Sequence, residues 1–122
     1  MNINQTLYVT SRRSWRSWLS KHHRSKRGIW LVFYKKLSRK PSIDYDEAVE
    51  EALCYGWIDG RIKRMDVERY LLRFTPRRQE SSWSESNKRR ALRMLREGKM
   101  TQAGLKSLPT EVLKRGKKMT RT

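Results

Sequence analysis

The spacing of apolar and polar positions changes period along the chain, and each change marks an element. Residues 1–9 hold Ile3, Leu7, Tyr8 and Val9 and read as a short edge strand. Thr10 or Ser11 caps a helix over 11–23, where Trp15, Trp18, Leu19 and His22 recur at helical spacing. Gly28 restarts the chain, and Ile29-Trp30-Leu31-Val32-Phe33-Tyr34 is apolar at consecutive positions. Residues 29–36 therefore read as a central strand with both faces covered. The clearest helix spans 44–55. Asp44 and Glu47 have the spacing of a capping box, and Tyr45, Ala48, Val49, Ala52 and Leu53 form one stripe. Acids in its first turn suit the helix dipole, and Gly56 suits its stop.

Two strands follow, at 57–65 and 69–75, joined by a tight turn around Asp66. Strict alternation puts Tyr70, Leu72 and Phe74 on one face of the second strand. On the first it puts Ile58, Gly60 and Ile62 toward the core and Trp57, Asp59, Arg61 and Lys63 on the other face. Pro76 closes the second strand because it lacks the ladder donor. A basic, Ser-rich loop leads to Ser84, which caps a helix over 84–97 with Gly98 as its stop. Short helices are expected from Thr101 and from Pro109-Thr110-Glu111. The expected architecture is α+β: a small antiparallel sheet of strands 29–36, 57–65 and 69–75. The helices at 11–23 and 44–55 pack on it through Trp15, Trp18, Leu19, Tyr45, Val49 and Leu53. Residues 1–113 form one domain, and 114–122 read as a basic, flexible tail.

Charge adds a second pattern. The 122 residues carry a formal net charge of +18. Residues 1–43 hold eleven Lys or Arg and no acid, 44–59 hold six acids and no base, and 60–122 hold nineteen bases and six acids. The acidic island is expected to neutralise part of a basic fold from within. The remaining charge points to polyanions such as nucleic acid, or else to a solvated basic surface. Single Cys54 forms no internal disulfide, and no cysteine pair offers a zinc site. No apolar run reaches the roughly 20 residues of a membrane span, and the N-terminus lacks a signal peptide's apolar core. The expected location is the cytoplasm.

Catalytic chemistry finds little purchase. His22 and His23 are adjacent, so on a helix they diverge and cannot share a metal. Cys54 has no base near it in sequence and reads as structural, covered where the chain turns after Gly56. The carboxylates of 44–51 spread round a helix and read as a solvated or salt-bridged face. No Gly-rich nucleotide loop is present. No metal, no cofactor and no enzyme activity are expected.

Two sets of residues carry binding chemistry. Asp59 is either an ion-pair partner for a neighbouring arginine such as Arg73, or part of a cleft. In the second case Trp57, Asp59, Arg61, Arg73, Thr75, Arg77, Arg78 and Ser84 hold a small anionic ligand through arginine forks and a helix start. The plainer reading of the loop is that Trp83 staples the third helix to the core and Ser84 only caps it. The second set is Lys88, Arg89, Arg90, Arg93 and Arg96 on that helix, a candidate nucleic-acid surface.

Several blocks occur in order: W15-R-S-W-L19, W30-L-V-F-Y-K-K36, E47-A-V-E-E-A-L-C-Y-G-W-I-D-G60, R73-F-T-P-R-R78, S82-W-S-E-S-N87 and G98-K-M-T-Q-A-G104. In these, residues 12–106 resemble the bacteriocin-protection family, also called YdeI/OmpD-associated. The resemblance implies a compact, single-domain protein with a part in tolerance of bacteriocins and envelope stress, and it brings no catalytic activity. Three readings stand beside it: a polyanion-binding module, a binder of a small anionic ligand, and a plain interaction protein whose charge serves solubility. Oligomeric state is not legible in the sequence.

Overall fold

The computed structural model describes residues 5–78 and 82–120, and their side chains as far as Gly116; Ile3 and Ser81 lie outside the described residues. The elements run β1 (Thr6–Leu7), α1 (Arg12–His22), β2 (Ile29–Tyr34), α2 (Tyr45–Cys54), β3 (Trp57–Arg64) and β4 (Arg69–Pro76). They end with α3 (Glu85–Arg96), α4 (Gln102–Ser107) and α5 (Thr110–Thr120). The fold is α+β. Among the described residues, no helix is long and apolar enough to cross a membrane.

The sheet has the order β1-β2-β4-β3. Its three long strands pair antiparallel, whereas β1 lies parallel to β2, so the sheet is mixed rather than purely antiparallel. A parallel pair requires a crossover, and α1 supplies it between Leu7 and Ile29. Strand β2 ends at Tyr34 rather than at residue 36, because the chain turns into a short 3-10 segment at Lys36–Ser38. A helix also continues past Lys114, where a loose tail is expected. α5 runs to Thr120, with Val112 in the core and Gly116 buried against Leu95.

Local chemistry explains the boundaries. Ser11 caps α1 by accepting from the Ser14 amide, and Ser84 caps α3 by accepting from the Asn87 amide. The Asp44 carboxylate accepts from the Asp46 and Glu47 amides at the start of α2. Gly56, with φ of +73°, stops α2 in the left-handed region that other residues avoid. Gly104 permits the closest backbone approach: a Cβ there would overlap the Cys54 carbonyl. That carbonyl accepts from the Thr101 amide at 3.0 Å and from its hydroxyl at 2.6 Å. Cys54 is thereby sealed under α4, and burial pushes its thiol up to about 11, which makes it a poor nucleophile.

The core lies between one sheet face and the helices. Ile29, Leu31, Phe33, Leu72 and Phe74 face Trp15, Leu19, Val49 and Leu53. Trp15 is fully buried, packs on Phe74 and Trp18, and donates its indole N–H to the Ala48 carbonyl at 2.9 Å. Tyr45, expected in the stripe of α2, is instead 41% exposed. It sits in the first turn of the helix, with its hydroxyl bonded to Asp59 on β3.

The acidic island works inside the fold. Glu50 and Glu51 are buried at 5% and 2% exposure. Arg12 reaches Glu50 at 3.0 Å and clamps Glu51, and Arg16 reaches Glu51 at 2.8 Å. Two cations from the acid-free first segment thus pin α1 to α2. The salt-bridged reading of these carboxylates holds: Glu50 and Glu51 are buried in the network, while Asp46 stays exposed beside Arg90 and Glu47 half-buried beside Arg12.

The expected core face of β3 is reversed. Asp59 pairs with Phe74 and Ile62 with Leu72, so three steps on β3 oppose two on β4. This bulge breaks strict alternation. Trp57 and Asp59 share the helix-covered face with Phe74, and Trp57 is 1% exposed. Ile62 returns to that face beyond the start of α2 and is 69% exposed.

The hairpin turn is closed by Asp66. Its carboxylate takes a two-pronged bond from Arg69 at 2.6 and 2.9 Å, and bonds from the Glu68 and Arg69 amides. These bonds, the Arg69 fork first, lower its pKa from 3.8 to about 2. A depressed carboxylate stabilises the turn fully above the unfolded value and loses that contribution as pH falls through the folded one. An NMR titration should therefore place the Asp66 midpoint near pH 2, and Arg69→Met should return it toward the ordinary value.

Candidate anion-binding groove

The structure divides the residues expected to share one cleft. Asp59 does not meet Arg73. In the register of the sheet, Asp59 lies with Phe74 on the helix-covered face, whereas Arg73 lies opposite Trp30 on the other. Asp59 instead accepts from the Tyr45 hydroxyl at 2.9 Å, with Arg90 above the Tyr45 ring at 5.6 Å. Burial first, and the Asp59 bond second, push the Tyr45 phenol up to about 12. Trp57 is a core residue, edge-on to Trp18 at 5.8 Å, and Arg61 stands exposed in the bulge.

Arg77 and Ser84 have structural partners. The Arg77 guanidinium lies over the Trp83 ring at 3.9 Å, its side chain donates to the Ser82 carbonyl, and its amide donates to Gly56 at 2.8 Å. Desolvation lowers its pKa from the ordinary arginine value. Trp83 packs against the core, so the stapling reading of this loop holds.

Thr75 and Arg78 do come together, with partners that sequence patterning missed. The α1–β2 loop folds over the end of β4. Arg24, Lys26 and Arg27 there, with Thr75, Pro76 and Arg78, line an open groove of about 660 Å³. His23 and Pro76 also border an adjoining depression of about 500 Å³, whose far wall carries Arg77, Lys106 and Ser107. His23 is fixed between them: its Nδ1 lies 2.8 Å from the Leu19 carbonyl and its ring packs on Tyr55. Among the described residues, no carboxylate lines either depression. The signal was the His22-His23-Arg24-Ser25-Lys26-Arg27 run, which has no periodicity and so stands out only as charge.

On α3 several cations meet carboxylates. Lys88 pairs with Glu85 and Glu111, Arg90 with Asp46, and Arg93 with Glu97 and Glu50. Arg89 and Arg96 remain exposed. Lys40 pairs with Glu68. The candidate nucleic-acid surface on α3 is therefore an ion-paired lattice rather than a bare basic stripe. Its carboxylate partners come from α2, α5 and the end of α3 itself, distant in sequence or hidden in the helix pattern. Among the described residues, no cluster of three or more His, Cys, Asp or Glu is placed to hold a metal ion.

Residues 7–107 match a protein family described as Domain of unknown function (DUF8412), and the chain belongs to that family. No curated protein and no solved structure matches it.

Proposed function

We propose that the protein is a small, non-enzymatic binding protein for anionic groups, and that the groove between the α1–β2 loop and the end of β4 receives them. One observation carries this reading. Arg24, Lys26 and Arg27 converge with Thr75 and Arg78 on one groove, and among the described residues no carboxylate lines it. Arginine forks and a threonine hydroxyl suit phosphate or carboxylate oxygens. The resemblance to the bacteriocin-protection family adds the physiological setting: a cytoplasmic part in tolerance of bacteriocins or envelope stress.

The test is a titration with inorganic polyphosphate and with DNA at about 50 and 200 mM salt, over which phosphate contacts weaken steeply. Arg24→Glu with Arg27→Glu should lower affinity about ten-fold or more, each lost contact also reducing the salt slope by about one. Arg89→Glu with Arg96→Glu should change it about two-fold or less. Absence of binding at about 50 mM salt overturns the reading.

A further inference from the structure

The sheet has two faces of different character. Helices cover one. The other carries Trp30, Val32 and Tyr34 on β2 opposite Arg73, Leu71 and Arg69 on β4, with Lys63 opposite Leu71 on β3. Val32 and Leu71 are buried yet lie outside the helix-covered core cluster. Longer side chains on the same face shelter them. Those side chains are aromatic and cationic in alternation. Arg73 lies over the Trp30 ring at 5.4 Å. Lys40 and Arg69 lie over the Tyr34 ring at 5.2 and 5.9 Å. Tyr8, 45% exposed, meets Tyr34 edge-on.

This face is continuous with the groove. Arg73 packs against Gly28, where a Cβ would overlap its guanidinium, and Thr75 touches the same point. Gly28 directly follows Arg27, and Thr75 lines the groove. The buried Nη1 of Arg73 has no hydrogen-bond partner among the described residues.

Resting on the anion-binding reading above, we infer that the polyanion is single-stranded nucleic acid. Its phosphates lie along the groove and Arg73, and its bases lie on the rings of Trp30, Tyr34 and Tyr8. The charge complementarity alone would admit any polyanion. The aromatic face distinguishes among them. A duplex keeps its bases stacked on one another and offers phosphates outward, whereas a single strand exposes flat rings that stack on aromatics without regard to sequence. Trp30 and Tyr34 lie on one strand face about 13 Å apart at the ordinary strand rise, so an extended strand can meet both. Polyphosphate offers no rings at all.

The experiment compares a uridine oligonucleotide, a thymidine oligonucleotide, a duplex of equal phosphate count and inorganic polyphosphate, with the full chain at one salt concentration. The single strands should bind about ten-fold or more tightly than polyphosphate, the size expected from one or two stacked bases. Trp30→Leu should remove that advantage while leaving polyphosphate binding within about two-fold. Because a tryptophan replacement can cost folding, the wild-type protein is also photocrosslinked to a 4-thiouridine oligonucleotide. The adducts should map to Trp30, Tyr34 or Tyr8. Single strands no tighter than polyphosphate, or adducts confined to α3, overturn the inference and leave the anion-binding groove standing. If neither oligonucleotides nor polyphosphate bind, both readings fall.

Discussion

Replacing Arg12 and Arg16 together by Ala should lower stability by about 3–5 kcal/mol, the range for stripping the partner from a buried ion pair. The cause is Glu51. It is 2% exposed, and its two oxygens are held by these two arginines. Removing both leaves a carboxylate with no way back to water. Glu50 keeps a weaker partner in Arg93 at 3.6 Å, so the loss concentrates on Glu51. Out of a total of about 5–15 kcal/mol for an ordinary domain, such a loss is a large fraction. Chemical denaturation of the double variant measures it directly. Adding Glu51→Leu to the double variant should recover much of the loss, because the penalty belongs to the unpaired charge. A double variant as stable as the parent would show that Glu51 is reached by solvent.

Val49→Asp should be more damaging still and leave the chain unfolded at room temperature. Val49 is fully buried at the centre of the α2 stripe, within the cluster of Trp15, Leu53 and Phe74. A carboxylate there meets no donor, and an unpaired charge in such a site costs several kcal/mol. The lost side-chain packing adds to that cost. Loss of the cooperative melt and of near-ultraviolet tryptophan dichroism is the expected readout. A melt at the parent temperature would mean that α2 turns a different face to the sheet.

Much of the fold was legible because its causes are local. A cap acts within three residues, so Ser11, Asp44 and Ser84 announced three helices. Gly56 announced its stop by being the residue that tolerates a positive φ. The two long hairpin strands were legible for the same reason, since Asp66 closes its turn with bonds to its own neighbours. A short edge strand is expected within residues 1–9, but its parallel pairing with β2 was not legible. Thr6–Leu7 is too short to show a period, and its partner is chosen by the crossover of α1.

The candidate site was less legible than the fold. Thr75 and Arg78 line a basic groove, but its other wall comes from a loop some fifty residues earlier in the chain. Asp59 was misassigned because the bulge between Asp59 and Ile62 shifts the alternation, so a face read from Ile62 does not hold for the residues before it. Arg73 and Asp59 then fall on opposite faces, and Tyr45 takes the place expected of Arg73. The cations of α3 looked bare because their carboxylates lie on other elements.

The sequence by itself determined the class of this protein: α+β, strongly basic, with an acidic helix inside it. Those properties follow from composition, period and capping, which need no partner distant in the chain. Only the tertiary structure decided which cations meet carboxylates and which gather at the groove. An ion pair forms where two chain segments are brought within about 4 Å, and that is settled by packing rather than by spacing along the chain. The packing gave Arg12, Arg16 and Arg90 to the carboxylates of α2. It gathered Arg24, Lys26, Arg27 and Arg78 around one groove that, among the described residues, no carboxylate lines.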